Sequence, residues 1–276
     1  VFIRELISNA SDALEKVRHL QATNQDIHSP ELEPQIEVTT DEEKGTITIQ
    51  DTGIGMTKDE LVSNLGTIAR SGSKAFLEEL KEKSGSESGD ALQGIIGKFG
   101  VGFYSAFMVA DSVAVTTRSA SSSEGPHVWR SDGSGSYEIL PAADDAVTRG
   151  SKIVINLSEA SKDYAKASRI EQIIRQYSNF VSFPILLNGE AVNTVQALWT
   201  KPENEVSEEE YSEFYKFISN AFDEPQYRLL FRADAPLELK ALLFVGSSHA
   251  EKFGYERMSP GVSLYSRKVL IERNSA

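Results

Sequence analysis

The sequence contains no cysteine, which excludes disulfide scaffolds, thiolate metal sites and cysteine nucleophiles. Histidine is scarce: His19, His28, His127 and His249 lie far apart without ligand spacing, so no zinc centre is expected. Long apolar runs are missing as well. Stretches such as Ala106 to Ala110 fall far short of a membrane span, and no membrane insertion is expected. Basic residues are outnumbered, with 28 Lys and Arg against 41 Asp and Glu and a formal net charge of −13. A duplex nucleic-acid binder needs a basic face to neutralise phosphates, so nucleic acid is not an expected partner. A single nucleotide needs only a few placed groups and is not excluded.

What is present fits a folded protein. The 276 residues are 40% hydrophobic and 25% charged, enough for one large domain or two modest ones. Apolar positions 2, 3, 6, 7, 10, 13, 14 and 17 predict a helix over residues 1–22. Alternation over Ile36 to Thr40 and Thr46 to Gln50 predicts a β-hairpin. Thr57-Lys-Asp-Glu60 is a capping box opening a helix through about Ile68. Residues 73–83 read as helix, and Ser84 to Asp90 as a Gly/Ser-rich break. A helix over Tyr104 to Val109 is followed by strands near 112–118, 126–131, 136–140 and 152–157. Arg169 to Phe180 reads as a helix, and Pro184 to Leu187 as a strand entering an Asn188-Gly189 turn. Beyond a boundary near residue 190 come a helix over Ser207 to Phe222 and strands near 227–232, 238–245 and 262–272. Trp129 and Trp199 are expected to be core or interface anchors, and Tyr211, Phe214, Tyr215 and Ile218 the buried face of a helix. The pattern is α+β, with largely antiparallel strands and helices on one face. Val1 to Leu6 already read as helix, and the chain stops just after a strand-like run, so it is expected to be a piece of a longer protein.

Three short segments carry chemistry. Glu5, Asn9, Asp12 and Lys16 form one stripe of the first helix. An amide oxygen such as that of Asn9 suits Mg²⁺, and an acid one turn away suits proton abstraction from a water attacking a phosphoryl group. Taken alone, the stripe also fits a solvated helix edge with an Asp12–Lys16 pair. The second segment, Asp51-Thr-Gly-Ile-Gly-Met56, follows a strand and precedes a capped helix. Its glycines allow close backbone approach, and the Asp51 carboxylate accepts from an exocyclic amine while disfavouring a keto group. An ordinary Asp-x-Gly turn reads the same way. The third, Gly97-Lys-Phe-Gly-Val-Gly-Phe103, precedes a helix and offers free N–H groups to phosphate oxygens. Its GxxGxG order is not the dinucleotide GxGxxG, and the Walker GxxxxGK[ST] is absent. Each segment is weak by itself. In this order they address water and metal, base, and phosphates of one nucleotide.

Phe2 to Ala13, Asp51 to Met56, Asn64 to Lys74 and Gly97 to Phe107 closely resemble motifs of the heat-shock-protein-90 chaperone family. The resemblance continues through Tyr177 to Pro184, Ala197 to Trp199 and Glu208 to Lys216, and so spans essentially the whole chain. It implies a two-layer α/β sandwich of the GHKL ATPase type over residues 1–190, with a mobile lid at about 66–102. Residues 191–276 would begin an α/β middle domain. It implies ATP or ADP with Mg²⁺ as ligands, Glu5 as general base and Asn9 as the metal ligand. Asp51 would accept the adenine amine with help from Gly55 and Met56, and Asn64 would lie near the ribose and α-phosphate. Gly97, Lys98, Phe99, Gly100, Val101, Gly102 and Phe103 would form the phosphate clasp. Asp12, Ala13, Arg70, Ser71 and Gly72 would also border the nucleotide. Ser151 matches a family position that is usually Thr.

The same resemblance implies client proteins as partners and a homodimer in the full-length protein. Val262 to Ile271 is similar to the mitochondrial branch, implying a matrix location, with a bacterial cytoplasmic homologue as second choice. Lys98 stands where most relatives carry Gln; the clasp works through backbone N–H groups, so binding is expected to survive. The family's N-terminal crossing strand and helix would precede Val1, and its γ-phosphate arginine would follow Ala276, so weak hydrolysis is expected of these residues alone. A topoisomerase- or MutL-type ATPase acting on DNA is the competing reading, and a nucleotide-sensing module without turnover is a third.

Overall fold

The computed structural model describes residues 1–71, 102–235, 238–247, 261–266 and 268–275, and in it the opening apolar period forms helix α1, Phe2–Ala22. The expected helix over 73–83 and the break at 84–90 lie outside the described residues. The chain divides into two compact units, Val1–Thr194 and Val195–Ala276.

In the first unit the predicted hairpin forms from β1 (Ile36–Asp41) and β2 (Thr46–Asp51), paired antiparallel. Its turn closes because the Asp41 carboxylate accepts from the Lys44 N–H at 2.9 Å and Gly45 takes φ +63°. Helix α2, Lys58–Ser71, starts at the expected capping box: Thr57 N–H donates to Glu60 Oε2 at 2.7 Å, and Glu60 N–H to Thr57 Oγ1 at 3.3 Å. The segment after the glycine run is a 3₁₀ helix, Gly102–Met108, rather than an α-helix from Tyr104. Bonds at i+3 tighten it, with Ser105 Oγ donating to the Gly102 carbonyl at 2.5 Å and Val109 N–H to the Ala106 carbonyl at 3.1 Å.

Strands β3 (Ala110–Arg118), β4 (His127–Ser131), β5 (Glu138–Pro141) and β6 (Gly150–Leu157) follow as read from alternation. A 3₁₀ turn, Glu159–Ala165, leads into α3, Ala167–Tyr177. This helix stops before the expected Phe180, because Ser178 leaves helical geometry and the chain extends toward Pro184. β7 (Ile185–Leu187) and β8 (Glu190–Ala191) are joined through Asn188 and Gly189 at φ 51° and 88°, a primed turn. The eight strands run β5-β4-β3-β6-β2-β1-β7-β8. Every pair is antiparallel except β1 with β7.

The core lies between this sheet and a helical layer, since α1 packs on β2 and on α3. Leu6, Ile7, Leu14 and Val17 of α1, Ile47 and Ile49 of β2, Val113 and Val115 of β3, Ile155 of β6 and Ile170 and Ile174 of α3 are all at most 1% exposed. The α+β two-layer sandwich is therefore observed. Trp129 is fully buried, its ring 5.7 Å from Phe103 and 6.1 Å from Tyr137. It is a core anchor.

In the second unit, α4 (Glu208–Ser219) opens on the Ser207/Glu210 capping box. Tyr211, Phe214 and Tyr215 are buried as expected, but Ile218 is 43% exposed. The helix ends at Asn220, φ 51°, short of Phe222, so its last turn has little left to pack against. The Trp199 ring lies 6.0 Å from Phe214, edge-on, and 5.1 Å from Tyr265, tilted. β9 (Pro225–Ala233) and β10 (Leu239–Gly246) pair antiparallel. The expected single strand over 262–272 is instead a hairpin, β11 (Val262–Ser266) and β12 (Val269–Ser275), turned at Lys268 with φ 66°.

Truncating a side chain in the shared layer tests this account of the core. Ile49→Ala should lower unfolding free energy by about 2–5 kcal/mol in urea titrations, through lost transfer energy and a cavity.

Candidate functional site

Along the inner face of the sheet, three neighbouring strands supply matched rows of side chains. Ile47, Ile155 and Val113 form one row, and Ile49, Ile153 and Val115 the next. One step further, the row becomes Asp51, Ser151 and Thr117, at 5%, 8% and 0% exposure. The apolar layer thus ends in three polar side chains held on the same face by strand register.

Asp51 is the charged member. Burial raises its carboxyl from the usual carboxylate range to about 7, against the downward pull of the Gly53 and Ser151 backbone N–H groups and the Arg149 charge. The Gly53 N–H donates to Asp51 Oδ1 at 2.9 Å. Arg149, a residue that sequence reasoning did not single out, is 1% exposed. It donates to the carbonyls of Thr52 at 3.0 Å, Ser29 at 2.5 Å, Leu32 at 3.1 Å and His28 at 3.3 Å. One buried guanidinium therefore ties the loop before β1 to the end of β2. Its partners are backbone carbonyls more than a hundred residues away or nearly so, and no motif spacing signals them.

The loop after Asp51 is pressed onto α1. A Cβ at Gly53 would lie 2.7 Å from the Ala13 backbone carbon, and the Ile54 N–H donates to the Ala13 carbonyl at 3.1 Å. Gly55 has φ +61°, and a Cβ there would stand 1.9 Å from the Arg118 carbonyl oxygen, so glycine is required on both counts. Met56 N–H donates to Thr117 Oγ1 at 3.0 Å. Thr117 likewise escaped sequence reasoning, because an apolar-alternation strand gives no reason to single out its last inward position.

Helix α1 brings the other predicted residues to the same region. Glu5 is ion-paired to Arg4 at 2.6 Å, and its Oε2 would be 2.6 Å from a Cβ at Gly102. The end of the glycine run therefore meets the predicted base. Asn9 is exposed, one turn along from Glu5, while Asp12 and Ala13 are half-buried. Asn64 reaches Met56, with Nδ2 3.8 Å from Sδ. Phe103 is half-buried, its ring turned to Trp129. Gly72, Gly97, Lys98, Phe99, Gly100 and Val101 lie outside the described residues, as do the side chains of Arg70 and Ser71.

The opposite face of the sheet carries a shallow hollow of about 800 Å³, lined by residues including Ser112, Thr116, Arg130, Lys152 and Asn156. None of its lining residues is a glycine, and its two carboxylates, Asp132 and Glu138, are exposed. Among the described residues no group of three or more His, Cys, Asp or Glu is placed to hold a metal. No helix among the described residues is long and apolar enough to cross a membrane.

Comparison with known proteins adds a second line. Residues 1–143 match the family described as histidine kinase-, DNA gyrase B-, and HSP90-like ATPase, and residues 186–276 match the family described as Hsp90 protein. The chain is 52% identical over all of its 276 residues to the chaperone protein HtpG of Desulfitobacterium hafniense, covering 44% of that protein. It is 51% identical, over its whole length and 38% of the relative, to the mitochondrial TNF receptor-associated protein 1 homolog of Dictyostelium discoideum. To the mitochondrial heat shock protein 75 kDa of Rattus norvegicus it is 52% identical over 99% of this chain and 37% of the relative. The chain thus spans roughly two fifths of the length of these relatives.

The Asp51 environment makes a pH prediction. Its folded value of about 7 lies above the unfolded value of 3.8. The carboxyl's contribution to stability is therefore full below 3.8 and is lost as pH rises through 7, at up to roughly 1.4 kcal/mol per unit. Urea midpoints of the ligand-free protein should fall between about pH 4 and 7 and level off above that, and Asp51→Asn should flatten that decline.

Proposed function

The chain belongs to the histidine kinase-, DNA gyrase B- and HSP90-like ATPases, on the heat-shock-protein-90 branch, and from that premise we propose that it binds ATP or ADP through the Asp51 row and α1. The observation that carries this reading is the buried Asp51 carboxylate, set beside a glycine loop with no room for side chains. A flat base with an exocyclic amine satisfies such an acceptor, whereas a keto group meets lone pair with lone pair. Gly55, Met56 and Ser151 border the base, and Asn64 the ribose and α-phosphate. Asp12, Ala13, Arg70, Ser71, Gly72 and the Gly97–Phe103 clasp complete the nucleotide contacts in this proposal.

Asn9 would hold Mg²⁺, whose chemistry is to neutralise charge on the phosphates. Glu5 accepts the proton of the attacking water, and the Arg4 ion pair keeps its carboxylate oriented toward Gly102. Gly102 admits that carboxylate because it has no side chain. The nucleotide is then both substrate and switch. In the complete dimer, hydrolysis would drive clamp closure on client proteins, with a lid over about 66–102 closing above the nucleotide. The relatives named above are bacterial and mitochondrial at nearly equal identity. A mitochondrial matrix or bacterial chaperone role follows as part of the same proposal. The alternative of a DNA-acting ATPase is not favoured, since residues 186–276 match the Hsp90 protein family.

Two substitutions separate binding from chemistry. By calorimetry with ADP and Mg²⁺, Asp51→Asn should abolish measurable heat while Glu5→Ala leaves the affinity within about threefold. In the full-length protein Glu5→Ala should cut ATP turnover by about 10²-fold or more, the scale of a lost general base. Equal loss of ADP binding in both variants defeats the assignment.

A further inference from the structure

Thr117 is the one member of the polar row with no opening to solvent, and its hydroxyl has three neighbours. Thr117 Oγ1 lies 2.9 Å from the Gly150 carbonyl oxygen, 3.0 Å from the Met56 nitrogen and 2.9 Å from Ser151 Oγ. A hydroxyl has one proton to give and two lone pairs to offer. The Gly150 carbonyl only accepts, so it takes the Thr117 proton. The Met56 N–H only donates, so it takes one lone pair. The remaining lone pair faces Ser151, whose hydroxyl must then be the donor.

Ser151 is thereby left with its proton committed inward. Reversing the pair would turn the Thr117 proton from Gly150 and leave that buried carbonyl without this bond, a bias of roughly tenfold or more against the reversed state. What Ser151 shows on its exposed side is lone pairs alone. Asp51, its cross-strand partner, shows carboxylate oxygens. The two side chains thus present a continuous acceptor edge.

We propose that Thr117 is a positioning residue for base selection: by fixing the direction of the Ser151 hydroxyl it makes the pocket accept 6-amino purines and reject 6-oxo purines. This rests on the nucleotide reading above and deepens it. Asp51 alone disfavours a keto oxygen, but a freely rotating Ser151 would offer that oxygen a compensating donor. Thr117 removes the compensation. A 6-oxo purine keeps a donor at N1–H but turns its C6 substituent from donor to acceptor, and a site built to pair with a donor at C6 rejects it by large factors.

The test compares ADP with inosine diphosphate by calorimetry at pH 8.5 with Mg²⁺. Wild type should prefer ADP by about 100-fold or more. Thr117→Val, which keeps the shape and removes the hydroxyl, should narrow that ratio at least tenfold, while Thr117→Ser should restore it. An unchanged ratio in Thr117→Val, with both affinities reduced alike, overturns the proposal, since a merely structural role would do that. If circular dichroism shows Thr117→Val unfolded, Ser151→Ala decides. Removing a fixed acceptor narrows the ratio, whereas removing a donor to the 6-oxo group widens it, and a widened or unchanged ratio overturns the proposal. Wild type binding neither nucleotide would instead defeat the nucleotide reading itself.

Discussion

Placing a carboxylate at the inner end of a central strand is the constraint around which the first unit is arranged. Asp51 occupies a position that continues the apolar face of β2, one register step beyond Ile49. Burial there costs the ionised form enough to lift its pKa to about 7. The surroundings compensate only in part. Two backbone N–H groups and the buried Arg149 lean toward the charge, and they do so from two separate stretches of chain: the loop at Gly53, and the start of β6 at Ser151 with Arg149 just before it. A carboxylate incompletely satisfied in this way is prepared to take a donor from outside.

The backbone around Asp51 is shaped by the same need. Gly53, Gly55 and Gly150 each bring main chain within distances that a Cβ would violate, and the crowding atoms are backbone atoms of α1, β3 and β2. Side chains there would push the segments apart and open the base of the site to water. Arg149 reinforces the arrangement from the other side by spanning carbonyls at residues 28–32 and 52. A charge buried against several carbonyls is costly to leave unpaired, so the loop before β1 is held wherever the guanidinium is held. The rigid end of the pocket is in this sense a property of the sheet. The predicted base, by contrast, sits on α1 against Gly102, where the glycine run ends. Base recognition and proton transfer are thus supported by different elements, which is why substitutions should separate them.

The Hsp90-type second unit repeats the logic of local signals completed by packing. Ser207 and Glu210 fix where α4 begins, and Asn220 in the left-handed region fixes where it ends. Between those limits the aromatic face meets Trp199 and Phe244. Ile218 kept the right spacing but fell in the last turn, where the helix runs out of neighbours.

Much of this was legible in the linear chain. Apolar periodicity located α1, β1 to β4 and β6, since a period of 3.6 or 2 follows from side-chain direction alone. The capping box at Thr57 was legible because its two partners lie three residues apart. The order of acid-amide helix, Asp-x-Gly-x-Gly turn and glycine run named a nucleotide through the chemistry each residue type allows. Strand ends and turns were less readable: Lys268 adopts a positive φ that its residue type does not advertise, and the 3₁₀ geometry after Gly102 depends on a side-chain bond from Ser105. Tertiary structure alone decided that Asp51, Ser151 and Thr117 share one row, and that Arg149 stands behind them. Cross-strand register and a guanidinium's reach join residues tens to a hundred positions apart, and no local period encodes such a meeting.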